Sequence, residues 1–194
     1  MNRVWPIILG LSLASVSLVS SAQGRWHWEA GADVAEPTRH LGNADLKTGI
    51  GFEGLLSVDI TPRFGLYGGV DWHRFEAGRA LTGFRVDAQE TGYVLGLQWQ
   101  DRFSATSRLG YRLRGGATYS QIELEDRHGD SYADSGHGSG WEVGAALLIS
   151  LPNQWTLTPG IRYRAVSRTL PIGNDRVPVN LEYVRIGVSV TRPF

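Results

Sequence analysis

The stretch Val184-Arg185-Ile186-Gly187-Val188-Ser189-Val190-Thr191 decides the fold, and three residues beyond it stands Phe194. Its even positions are aliphatic and its odd positions are charged, small or hydroxylic. That is the two-residue period of a strand with one face in an apolar medium and the other in a polar one. A helix of this sequence would scatter both kinds of side chain around its axis.

The same period recurs upstream. Trp26, Trp28, Ala30, Ala32 and Val34 share one parity, against His27, Glu29, Gly31 and Asp33. Ile50, Phe52, Leu56, Val58 and Ile60 oppose Glu53, Ser57 and Asp59, and Phe64, Leu66, Val70 and Trp72 oppose Tyr67, Asp71 and His73. Tyr93, Leu95, Leu97 and Trp99 oppose Gly92, Gly96, Gln98 and Gln100. Three further runs place Leu109 to Tyr119, Trp141 to Ile149 and Trp155 to Tyr163 against Arg112, Arg114, Glu142, Arg162 and Arg164. With the opening stretch these make eight strands. Pro159 falls inside one of them and predicts a bulge or weak pairing, because it lacks an N–H.

Connections alternate in length. Those at 61–63, 101–106 and 152–154 are short, whereas 35–48, 76–89, 125–139 and 168–180 are long and rich in Gly, Asp, Arg and Pro. Short turns at one end and long loops at the other describe an up-and-down barrel, and both termini at the short-turn end require an even strand count. The fold expected over residues 23–194 is therefore all-β, an eight-stranded antiparallel up-and-down transmembrane β-barrel with four long loops.

Residues 1–22 are of another kind. Arg3 precedes an apolar run from Ile7 to Val19, and Ser20-Ser21-Ala22 offers small residues for a signal peptidase. The run is shorter than the roughly 20 residues a spanning helix needs. A cleaved signal peptide over 1–22 is expected. Zero net charge predicts no attraction to nucleic acid, and the absence of cysteine removes disulfides and thiolate metal sites.

Tryptophan placement decides which parity faces outward. Of seven Trp, all but Trp5 lie on the apolar parity near predicted strand ends. Trp26, Trp28, Phe64, Trp99, Trp155 and Phe194 gather at the short-turn end, and Trp72, Tyr119, Trp141 and Tyr163 at the other. Two aromatic rings around an aliphatic band are the girdles of a membrane barrel, whereas a soluble core gives no reason to confine Trp to strand ends. The opposite parity should then fill the lumen with a charge network of Glu29, Asp33, Glu53, Asp59, Asp71 and Glu142 against Arg112, Arg114, Arg162, Arg164 and Arg185. A solvated sheet face would carry lysine too, yet only Lys47 is present, in a predicted loop. Arg192 falls on the lipid-facing parity, at a strand end where it can snorkel to water.

The pattern resembles the small eight-stranded outer-membrane barrels, the group that includes the OmpA transmembrane domain, OmpX and Ail, over essentially all of residues 25–194. The resemblance implies an integral protein of a Gram-negative outer membrane, in contact with lipid and lipopolysaccharide. A terminal Phe194 is what the barrel-insertion machinery reads in such proteins. Surface loops would meet a host or surface ligand. With Phe194 last, the peptidoglycan-binding domain of full-length OmpA is not expected, nor is cell-wall tethering.

Chemistry is sparse. His137 and Ser139 share the parity of Trp141, a His-x-Ser arrangement resembling outer-membrane lipid A deacylases, but no carboxylate of matching parity is evident to orient the histidine. Glu125, Asp126, Asp130, Asp134 and His128 read as a hydrated acidic loop without the EF-hand pattern. Arg79, Arg85, Arg168 and Arg176 suit contact with lipopolysaccharide phosphate. The expected role is structural or surface-interacting (envelope integrity, adhesion), with no catalytic residue, cofactor or metal. A narrow porin-like channel and a lipid-modifying enzyme are the alternatives.

Overall fold

In the computed structural model the alternating runs become eight strands. They are β1 (Trp26–Pro37), β2 (Gly49–Asp59), β3 (Phe64–Phe75), β4 (Asp87–Arg102), β5 (Leu109–Glu125), β6 (Ser131–Ser150), β7 (Thr156–Ile172) and β8 (Asp175–Pro193). The structure describes residues 25–38, 46–76, 87–125, 131–172 and 175–194, of which 124–125, 131–134, 168–172 and 175–179 as backbone only. The expected signal peptide at 1–22, together with Arg79, Arg85, Asp126, His128 and Asp130, lies outside these residues. So do the side chains of Glu125, Asp134, Arg168 and Arg176.

Each strand pairs antiparallel with the next, and β1 pairs with β8 through Ala30↔Val190 and Trp28↔Arg192, so the sheet closes into a barrel. Closure leaves no sheet edge with unpaired N–H and C=O groups, which hydrocarbon could not satisfy.

Two of the four long connections are corrected. Segments 125–139 and 168–180, expected as loops, are largely strand: β5 and β6 pair as far as Glu125↔Ser131, and β7 and β8 as far as Ile172↔Asp175. Backbone pairing does not depend on side-chain alternation, so a ladder continues past the point where one face stops being apolar. In β6 the register shifts opposite Gln121 and Glu123, beside Gly136 at φ +65. That left-handed conformation is one glycine adopts without strain.

The short turns are built locally. The Thr61 hydroxyl accepts the Phe64 N–H at 2.9 Å, and Ser107 accepts that of Leu109 at 2.9 Å. Between β6 and β7, Asn153 and Gln154 both have left-handed φ, 58° and 64°, as a tight turn between right-twisted strands requires. Pro159 pairs with Val188 on β8, while the β6–β7 ladder breaks off between Ala146↔Gly160 and Ile149↔Leu157 without a change of register. It marks weak pairing rather than a bulge.

The burial pattern inverts that of a soluble protein. Arg164, Glu90 and Glu142 are buried inside the barrel, whereas Leu95 is 68% and Ile186 63% exposed on its outer wall. So continuous an apolar exterior has no stable arrangement in water, and lipid is the solvent it matches. Inward glycines make room for the large interior groups. A Cβ at Gly144 would lie 2.4 Å from Arg162 Cγ, and one at Gly51 2.2 Å from the His73 ring.

Candidate functional site

The lumen is the most organised part of the molecule, and it is built in tiers. Nearest the short turns, Glu29 of β1 accepts hydrogen bonds from five side-chain donors. Arg112 Nη1 lies at 2.7 Å, Arg114 Nη1 and Nη2 at 2.9 and 2.7 Å, Ser189 Oγ at 2.7 Å and Thr191 Oγ1 at 3.3 Å. Arg114 also donates to Gln98 Oε1 at 2.9 Å and lies over the Tyr67 ring, 4.8 Å from its centroid. One carboxylate thus joins β1 to β5 and β8.

In the middle tier Glu53 accepts a bidentate pair from Arg162 at 2.5 and 2.6 Å and a third bond from Arg185 at 2.7 Å. His73 Nε2 stands 3.1 Å from Arg185 Nη1 and 3.3 Å from Asp33 Oδ1. In the third tier the fully buried Arg164 meets three carboxylates. Its forked ends engage Asp71, with Nη1 to Oδ1 at 2.8 Å; Nη2 reaches Glu142 at 2.8 Å and Nη1 reaches Glu90 at 3.3 Å. Tyr67 donates to Glu142 at 3.1 Å and Tyr183 to Glu90 at 2.8 Å. A planar guanidinium is the cation suited to such forks, and a buried carboxylate without one would be strongly destabilising.

Beyond these tiers the lumen turns apolar. Ala35, Phe75, Ala88, Ile122, Val166, Leu181 and Tyr183 are all buried, and Phe75 meets Tyr183 edge-on at 5.1 Å between centroids. Sequence reading treated the inward parity as polar throughout and missed this lid. It also missed Glu90, Tyr67, Gln98 and Tyr183 as members of the network, and the small inward apolar cluster of Leu55, Tyr67 and Val94. The signal was there: extending the β4 parity back from Gly92 places Glu90 and Ala88 inward. Asp59 faces inward at the short-turn mouth, 3.8 Å from His27 and 3.5 Å from Gln100, and joins the network through the charge of Arg112 rather than through a direct ion pair.

The interior is closed at one end and open at the other. Between Glu53, Arg162 and Arg185 lies a cavity of about 40 Å³, room for little more than a water molecule. At the short-turn mouth a vestibule of about 680 Å³ opens among His27, Ser57, Gln98, Arg102, Arg112 and Thr156.

On the outer wall the aromatic side chains sit near both ends of the apolar band, many in pairs. Trp28 meets Trp155 edge-on at 5.3 Å, Trp99 meets Tyr111 at 5.2 Å, Trp141 meets Tyr163 at 5.4 Å and Phe52 stacks on Trp72 at 6.1 Å. Trp26, Phe64 and Phe194 are exposed at the short-turn end. The Arg192 guanidinium lies over Trp155, 5.5 Å from the ring centroid, which shows how a lipid-facing cation is held at the interface. His137 and Ser139 do face outward, His137 stacking on Tyr119 at 5.2 Å. Glu123 also lies on the outward parity of β5, accepting from Gln121 Nε2 at 2.7 Å. Among the described residues no group of His, Asp and Glu is disposed to hold a metal ion.

Comparison with known proteins agrees with this architecture. Residues 7–194 match the family model described as the outer membrane protein β-barrel domain. No curated protein matches the sequence. Among solved structures, Neisserial surface protein A superposes with a TM-score of 0.62 at 16% identity, over 87% of this chain and 97% of that one. A major outer membrane protein of Thermus thermophilus gives 0.55 at 13% identity, over 88% and 98%. Outer membrane protein W of E. coli gives 0.53 at 18% identity, over 90% and 100%. At these identities the likeness is one of fold.

Proposed function

The chain belongs to the outer-membrane protein β-barrel family, and from that membership we propose a non-conducting, non-catalytic barrel whose role is structural or surface-interacting: envelope integrity or adhesion. The observation that carries this reading is the filled lumen, where ion pairs from Glu29 to Arg164 lie beneath an apolar lid. Ions would have to cross both layers of packed side chains. The barrel is exported through a cleaved signal peptide at residues 1–22, its terminal Phe194 is read by the insertion machinery, and its long-connection end carries any host or surface contact. Lipid and lipopolysaccharide surround its wall. Planar-bilayer recording of the purified protein tests the plug: no steady current is expected, and sustained ion flux would replace it with the narrow-channel reading.

A lipid-modifying enzyme is the second reading. It is favoured by one observation, that His137, Ser139 and Glu123 stand on the outward parity of neighbouring strands. Mass spectrometry of lipid A from cells expressing wild type or Ser139→Ala separates the two. An acyl chain lost with wild type and retained with the variant would establish the enzyme; identical lipid A would leave the non-catalytic barrel.

A further inference from the structure

The vestibule at the short-turn mouth has the wrong inventory for a mere solvent-filled opening. Arg112 is only 5% exposed, yet its guanidinium borders the cavity. Its Nη1 donates to Glu29 and its Nε to Gln100 at 3.4 Å, while Nη2 has no partner among the described residues. Ser57, 4% exposed, also lines the cavity and makes no side-chain hydrogen bond among the described residues. At the rim Arg102 adds a guanidinium with no ion pair among the described residues.

The acceptors nearby are already engaged. Asp101 is held by Arg63 at 3.0 Å, and Asp59 lies against His27 and Gln100. The cavity is therefore donor-rich, with N–H and O–H groups converging from β2, β4 and β5, and the neighbouring carboxylates are already engaged, Asp59 by the charges of His27 and Arg112. Arg112 and Ser57 are buried residues whose remaining donors reach only the cavity, so an occupant that accepts would replace water there with charge-assisted hydrogen bonds. Leu109 and Leu148 give the wall an apolar side.

We propose that this vestibule binds a small organic oxyanion, a carboxylate or phosphate, from the periplasm, with Arg112 and Arg102 as its cationic contacts. The cavity lies inside the ring of strands, away from the lipid-facing wall, which favours a free solute over a phospholipid headgroup. About 680 Å³ admits a molecule of metabolite size. The lid at the far end makes this a receptacle rather than a passage.

The test uses the refolded barrel in uncharged maltoside micelles, titrated with inorganic phosphate and separately with benzoate, with chloride at matched ionic strength as control. Saturable shifts of the Ser57, Gln98 and Thr191 amide resonances are expected, with affinity lowered about tenfold in Arg102→Gln and in Arg112→Lys. Heat-modifiable migration verifies that each variant folds. Should Arg112→Lys fail, Arg102→Gln and Ser150→Trp, which fills the mouth, decide the matter. Shifts reproduced by chloride, or binding unchanged in the variants, would overturn the proposal. Bicelles with and without phosphatidylglycerol form the last arm; a response to that lipid in the absence of soluble anion would overturn the solute and place a headgroup in the site.

Discussion

Glu29 of β1 and Arg114 of β5 stand on opposite walls of the barrel, four strands apart in either direction, and their side chains meet in a two-bonded pair at 2.9 and 2.7 Å. A cross-barrel pair of this kind ties together strands that share no backbone hydrogen bond. Replacing Glu29 by Ala leaves Arg112 and Arg114 without their shared carboxylate. A loss of about 3–5 kcal/mol is expected, read as a lower urea midpoint for the heat-modifiable form in lipid. A change below about 1 kcal/mol would mean that this tier is solvated like a surface salt bridge.

Arg164 tests geometry apart from charge. Lys at this position keeps a cation among Asp71, Glu90 and Glu142 but cannot fork to three carboxylates. We expect Arg164→Lys to lose about 1.5–3 kcal/mol. A midpoint equal to wild type would show that net charge alone holds the third tier.

Phe75 tests the lid. It is fully buried and packs against Tyr183 and His73, so Phe75→Ala should cost about 3–5 kcal/mol as a core cavity. The variant should stay silent in planar bilayers, because the ionic tiers beneath it are intact. Current from this single change would make the lid, and not the network, the barrier to ions.

Glycine positions separate close packing from mere composition. Gly144→Val drives a branched side chain into Arg162 Cγ, 2.4 Å from the added Cβ, and should destabilise by about 1–3 kcal/mol. Gly115→Ala, whose added atom meets nothing nearer than 4.0 Å, is the control and should be neutral. Equal midpoints for the two would remove the steric argument.

Gln154 holds a left-handed backbone that glycine adopts freely. Gln154→Gly should raise stability by about 1 kcal/mol, seen as a higher urea midpoint with unchanged migration.

Much of the architecture was legible from parity. Val184 to Thr191 and the runs like it fix which side chains share a face, and the confinement of tryptophan to one parity told outside from inside. The register of the hairpin ends was not legible. Beyond the lipid band the apolar-polar contrast between the faces fades, so the sequence of 125–139 loses its alternation while the strands still pair as far as Glu125↔Ser131. Nor was the lid, because Ala88, Ile122 and Leu181 lie on the parity that elsewhere carries charge, near strand ends obscured by that same loss of pattern.

The opening stretch shows the division most clearly. Its sequence alone determined that Ile186 and Val188 meet an apolar medium and that Arg185 does not, since a strand has only two faces and their chemistry differs. The partners of Arg185, Glu53 at 2.7 Å and the His73 ring at 3.1 Å, lie 132 and 112 residues away. Only closure of the barrel brings those strands within reach. Parity is a local property of a strand, whereas cross-barrel contact depends on the register of every ladder between, and so the wiring of the lumen belongs to the tertiary structure.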